Sequence, residues 1–94
     1  MAILRYDEYE SAPTSVNPNP VHIKSTNITM NASGAVFDDK TAYVELAADA
    51  DCYVAEGASP TAAAGNSASI LLFAGTYRPI TVSARGNRLH VTAK

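Results

Sequence analysis

The chain has no tryptophan, one cysteine and two histidines, and its only aromatics are five tyrosines and two phenylalanines. Each shortage excludes something. The lone Cys52 rules out a disulfide within the chain, and small secreted domains generally depend on such staples, so an oxidising compartment is not expected. No stretch approaches the ~20 apolar residues that a membrane-spanning helix needs. The N-terminal MAILRYDEYE has neither a basic segment nor an apolar run of signal-peptide length. The expectation is a protein that stays in the cytosol or in a particle assembled there. The N-x-S/T triplets at Asn27 and Asn31 are then chance matches, because glycosylation needs the secretory route. Helical periodicity is missing too, since turn-formers interrupt every candidate before two turns are complete.

Acidic residues are scarce where basic ones gather. Val36 to Glu56 contains Asp38, Asp39, Glu45, Asp49, Asp51 and Glu56 against Lys40 alone, whereas Thr76 onward has Arg78, Arg85, Arg88 and Lys94 and no acid. Two arrangements satisfy this asymmetry: pairing across neighbouring strands of one subunit, or an acidic face of one copy meeting a basic face of the next. Four basic residues without an aromatic platform make a poor nucleic-acid footprint.

What remains is 94 residues, 47% apolar and 17% charged, which make one globular domain. Much of the apolar share is alanine, which buries little, so the core is thin and would gain from a partner subunit. Short alternating runs dominate. Ile3–Tyr9 reads as a first strand or an extended arm, and SAPTSVNPNP after it, with three prolines, as loop or arm. VHIKSTNITM points Ile23, Ile28 and Met30 inward. TAYVELA alternates Ala42, Val44 and Leu46 against Tyr43 and Glu45. ADAD then turns the chain, and DCYVA resumes with Cys52 and Val54 on one side, so the pair reads as a hairpin. SILLF, almost wholly apolar, reads as a central strand. ITVSA and RLHVTAK are predicted to face each other across RGN, with Ile80, Val82 and Ala84 sharing a face, as do Leu89, Val91 and Ala93. The expected fold is all-β, a small sandwich or barrel of six or seven short antiparallel strands. Residues 1–20 are an N-terminal strand or proline-rich arm, and residues 21–94 a single β domain.

Chemistry is hard to find. His22 and His90 are far apart, and neither has a second ligand at metal-site spacing. Asp49 and Asp51 begin like a calcium loop but lack its glycine and distant glutamate, which leaves them as turn residues that bond backbone amides. Ser59 in GASPT is not a nucleophile elbow. Cys52 alternates inward as an inert thiol, and Gly57 and Gly65 lack the lysine and helix of a phosphate loop. No enzyme site, metal or cofactor is expected. Tyr43 and Tyr53, side by side if their strands pair, could instead offer a sugar-binding platform.

Residues 41–94 resemble short virion proteins of tailed bacteriophages and prophages. The resemblance rests on Asp51, Cys52, Tyr53, Val54, Gly57 and Pro60, followed by an apolar strand ending in Ala74 and Gly75. It implies a small β-sandwich component of the particle: a capsid decoration protein, or a minor head or tail factor, made in the bacterial cytoplasm. Its partner would be the major capsid protein or another virion protein. The segment EGASPTAAAGNSAS fits that role, because short side chains let a backbone approach another protein closely. Pro60 lowers the ordering cost on docking. The expected contact residues are Ser59, Pro60, Thr61, Ala62, Ala63 and Ala64 in this loop, with Tyr6 and Tyr9 in the arm. A cyclic homo-oligomer, a trimer by preference, is the expected assembly, with no nucleic-acid or membrane partner.

Overall fold

The computed structural model describes residues 2–16, 18–63, 65 and 69–94. Among them are eight strands and no helix: β1 (Ile3–Tyr9), β2 (His22–Thr29), β3 (Ala32–Ser33), β4 (Tyr43–Ala48), β5 (Cys52–Gly57), β6 (Ile70–Leu72), β7 (Tyr77–Thr81) and β8 (Arg88–Ala93). They form two four-stranded antiparallel sheets, ordered β2-β1-β4-β7 and β3-β8-β5-β6. The strand count exceeds expectation because the two-residue β3 is too short to register as an alternating pattern.

Period-two alternation places the core. Leu4 and Tyr6 of β1, Ile28 of β2 and Val44, Leu46 and Ala48 of β4 are buried in one sheet. Cys52 and Val54 of β5, Leu72 of β6 and Leu89 and Val91 of β8 are buried in the other. All belong to one apolar cluster, with Met30, Ala32, Ile80 and Val82 packed at its margin. Ala42, Ala84 and Ala93 do not join the faces expected of them and are exposed.

Of the two readings of Ile3–Tyr9, a first strand or an extended arm, the strand is the one observed. β1 is an interior strand, paired along its length with β2 on one side and β4 on the other. The proline-rich segment is the connection between β1 and β2, closed by the Glu10 amide donating to the Val21 carbonyl at 3.0 Å. Its prolines, which lack a ladder donor, sit where none is needed.

Neither expected hairpin forms. β4 and β5 lie in different sheets, as do β7 and β8, so the chain crosses the sandwich at Asp49–Asp51 and again after β7. Alternation specifies which face of a strand is buried; it does not say whether the next strand pairs beside it or packs opposite it. SILLF is displaced in a similar way. β6 stands at the edge of its sheet, leaving Leu71 and Phe73 exposed.

One end of the sandwich is closed by the segment between β3 and β4. Phe37 is buried with its ring edge-on to Tyr6, the centroids 5.7 Å apart. Glu8, fully buried, holds the same segment in place. Its Oε1 accepts from the Asp38 amide at 2.9 Å and from the Thr41 hydroxyl at 2.8 Å, while Lys24 Nζ lies 3.7 Å from Oε2. Gly34 lies against this packing. A Cβ there would fall 2.7 Å from Ile28 Cδ1 and 3.1 Å from the Tyr6 hydroxyl.

Cys52 is fully buried, and burial pushes its thiol up to about 11, with Asp51 and Asp49 adding to the shift. Below pH 9 both states keep the proton. Between pH 9 and 11 the unfolded chain releases a proton that the folded chain retains, so stability falls as pH rises through that window. The loss amounts to roughly 2–3 kcal/mol. Tyr9 acts in the same direction at higher pH, held up to about 12 by desolvation and by Glu45. Melting curves should therefore drop above pH 9, and Cys52→Ala should flatten that drop. A thiol reagent at pH 8 should label Cys52 only once guanidinium has unfolded the protein, and rapid labelling of the native protein would contradict the burial.

Candidate functional site

Residues 58–63, the described start of the small-residue loop after β5, do not reach away from the molecule. They fold back over the outer face of their own sheet. On β8, Leu89 and Val91 face the core, so Arg88, His90 and Thr92 face outward. The Ala62 amide donates to His90 Nδ1 at 2.9 Å, and the Thr92 hydroxyl donates to the Ala62 carbonyl at 2.7 Å. His90 therefore carries its ring proton on Nε2 here. The Ala63 amide donates to Ser69 Oγ at 3.1 Å. Ala62 is only 2% exposed, and Ala55, opposite His90 in register, only 3%. An alanine methyl is small enough for two backbones to approach in this way. The lack of bulk first serves the chain's own sheet.

This placement divides the expected contact residues. Tyr6 is 1% exposed and belongs to the core, because β1 is interior; it cannot present itself to a partner. Ala62 is likewise enclosed, and Ala63 is half-buried. Ser59 and Thr61 are exposed and Pro60 is half-buried. Ala64 lies outside the described residues. Tyr9 is half-buried on the outer face of the other sheet.

Ser59, Pro60 and Thr61 form one side of a recess of about 440 Å³, completed by Ala58, Ser33 of β3 and Arg88 of β8. Ser33 and Arg88 escaped sequence reasoning. The outward alternation of β8 put Arg88 on the right face, but only the folded-back loop makes a wall opposite it.

Tyr43 and Tyr53 do not form a platform, since β4 and β5 belong to different sheets. Tyr43 instead lies beside Tyr9, with centroids 6.0 Å apart, and Tyr9 beside His22 at 5.3 Å. Next to them, Ser25 donates to Asp7 Oδ1 while His22 Nε2 stands 3.1 Å from Ser25 Oγ and 3.9 Å from Asp7. These three types suggest a nucleophile triad, but the connections are wrong for one. Ser25 donates to Asp7 rather than to His22, whereas a triad needs the hydroxyl proton directed at the histidine. His22 and His90 occupy different sheets, and no three His, Cys, Asp or Glu side chains converge on a metal position among the described residues.

The charged segments do not neutralise each other within the subunit. Among the described residues, no ion pair joins the acids of 36–56 to the basic residues of 76–94. The acids serve backbone amides: Asp49 Oδ1 accepts from Ile3 and Asp51 Oδ1 from Ala74, both at 2.8 Å, and Glu56 accepts from Ser83 and Asn87. Lys94 lies over the Phe73 ring, 5.8 Å from its centroid.

The chain matches no family model, no curated protein and no solved structure.

Proposed function

We propose that this protein is a non-enzymatic virion component of a tailed bacteriophage. On this reading it decorates and stabilises the assembled capsid as a homo-oligomer, a trimer by preference, with the major capsid protein or another virion protein as its partner. It is made in the bacterial cytoplasm and resides in the particle. A head–tail or tail accessory role draws on the same features.

The supporting observation is β6, a strand with the composition of an interior strand in an edge position. Continuous apolar runs are characteristic of strands covered on all sides. An uncovered apolar edge invites pairing with another chain, and monomeric proteins generally blunt theirs. β7, the edge on the same flank, is blunted by Pro79, whereas β6 has no such guard. Leu71, Phe73 and Tyr77 are 37%, 52% and 75% exposed along this flank. The basic side chains without acidic partners in the subunit add a second route to association between copies.

Sedimentation of the purified protein should give an oligomer mass, with Phe73→Glu shifting it to the monomer at unchanged melting temperature. Particles lacking the protein should take up the parent but not this variant. A parent that is monomeric throughout and ignores such particles would overturn the reading.

A second reading, a carbohydrate- or receptor-binding module, is favoured by the cluster of Tyr9, Tyr43 and His22 beside Asp7 and Glu45. Saturable glycan binding lost in Tyr43→Ala would select it.

A further inference from the structure

Arg88 is placed in an unusual way for a residue on a sheet surface. Its Nε is buried and has no hydrogen-bond partner among the described residues. No carboxylate lies within ion-pairing distance of its guanidinium among the described residues. The nearest acid in sequence, Glu56, stands opposite Leu89 rather than Arg88 and is engaged by Ser83 and Asn87. Opposite Arg88 in register is Gly57, which has no side chain to fill the space. The result is the recess of about 440 Å³, in which Arg88 is the only charged wall among the described residues, accompanied by the hydroxyl residues Ser33 and Ser59.

The Nε is enclosed by protein, but the terminal guanidinium nitrogens are not among the buried atoms and have no hydrogen bond or ion pair among the described residues. An oxyanion is the group that suits them best. The planar fork of arginine matches a carboxylate through two parallel hydrogen bonds. One positive charge balances a monoanion rather than a doubly charged phosphate. The serine hydroxyls can both donate and accept, so they suit a ligand with hydroxyl or amide groups beside its carboxylate.

We propose that this recess is a carboxylate-binding site, filled by a small hydroxy acid or by an acidic side chain of a polypeptide. The inference does not rest on the β6 edge; of the basic side chains offered above as a route to association it uses Arg88 alone.

The test is a titration followed by nuclear magnetic resonance at constant ionic strength. Its probes are gluconate, acetate, a blocked glutamate peptide and inorganic phosphate, with chloride as the control. Either carboxylate source should shift the Arg88 Nε–H and Ser59 amide signals to saturation, and the tighter of gluconate and peptide identifies the source. Arg88→Gln should weaken binding by about tenfold or more while its spectrum stays folded. Ser59→Asp, which supplies a tethered carboxylate, should abolish binding of the added probes. Shifts that stay linear for all carboxylates would overturn the proposal. So would phosphate binding more tightly than every carboxylate, or saturation unchanged in Arg88→Gln or, if that variant unfolds, in Ser59→Asp.

Discussion

Replacing Tyr6 with alanine should cost about 3–5 kcal/mol, the range for emptying a buried aromatic site. The ring is almost wholly enclosed, packs edge-on against Phe37 and sits on an interior strand between β2 and β4. A domain of this size has ~5–15 kcal/mol of total stability, so the loss removes a large fraction of it. The melting temperature should fall by roughly 12–40 °C. Tyr6→Phe, which keeps the ring, should stay within about 1.5 kcal/mol of the parent. Thermal unfolding of the two variants separates a core role from a contact role. A docking residue would leave the melting temperature alone and weaken only association, and that result for Tyr6→Ala would refute the placement of β1.

The second large effect concerns Glu8. Removing its carboxylate with Glu8→Ala leaves the Asp38 amide and the Thr41 hydroxyl without their acceptor where the β3–β4 connection closes the core. Each stranded group costs about 1–3 kcal/mol, so a loss of roughly 2–6 kcal/mol is expected. Glu8→Gln keeps an acceptor at the Oε1 position, gives up the ionic contact with Lys24, whose side chain is 45% exposed, and places an amide NH2 where the buried Oε2 lacks a hydrogen-bond partner. Such half-solvated pairs contribute at most about 1 kcal/mol. The glutamine variant should therefore recover part of the stability in urea unfolding. Equal losses in the two variants would show that the charge, not the pair of hydrogen bonds, holds the segment. Hydrogen exchange should report the change locally, with the Asp38 amide losing protection first.

Much of the fold was legible in the chain. The alternation in Tyr43–Ala48 and Cys52–Val54 put Val44, Leu46, Cys52 and Val54 on buried faces, and they are buried. The shortage of helical periodicity pointed to an all-β protein, and the two sheets bear that out. The candidate sites were less legible. Ser59, Pro60 and Thr61 were visible as a turn of small residues, but their opposing wall, Arg88 and Ser33, is distant in sequence. Tyr9 and Tyr43 were both visible as tyrosines, yet only the pairing of β1 with β4 brings them together.

The sequence by itself determined which residues turn inward, because the sign of a side chain's transfer energy and the two-residue period of a strand are local properties. Tertiary structure alone decided which strands lie beside one another. It made Ile3–Tyr9 interior, sent the apolar Ile70–Leu72 to an edge and laid Ala62 on its own sheet. Pairing depends on ladders and packing between segments far apart in the chain. Many registers satisfy the same alternation, and only the complete set of contacts selects among them.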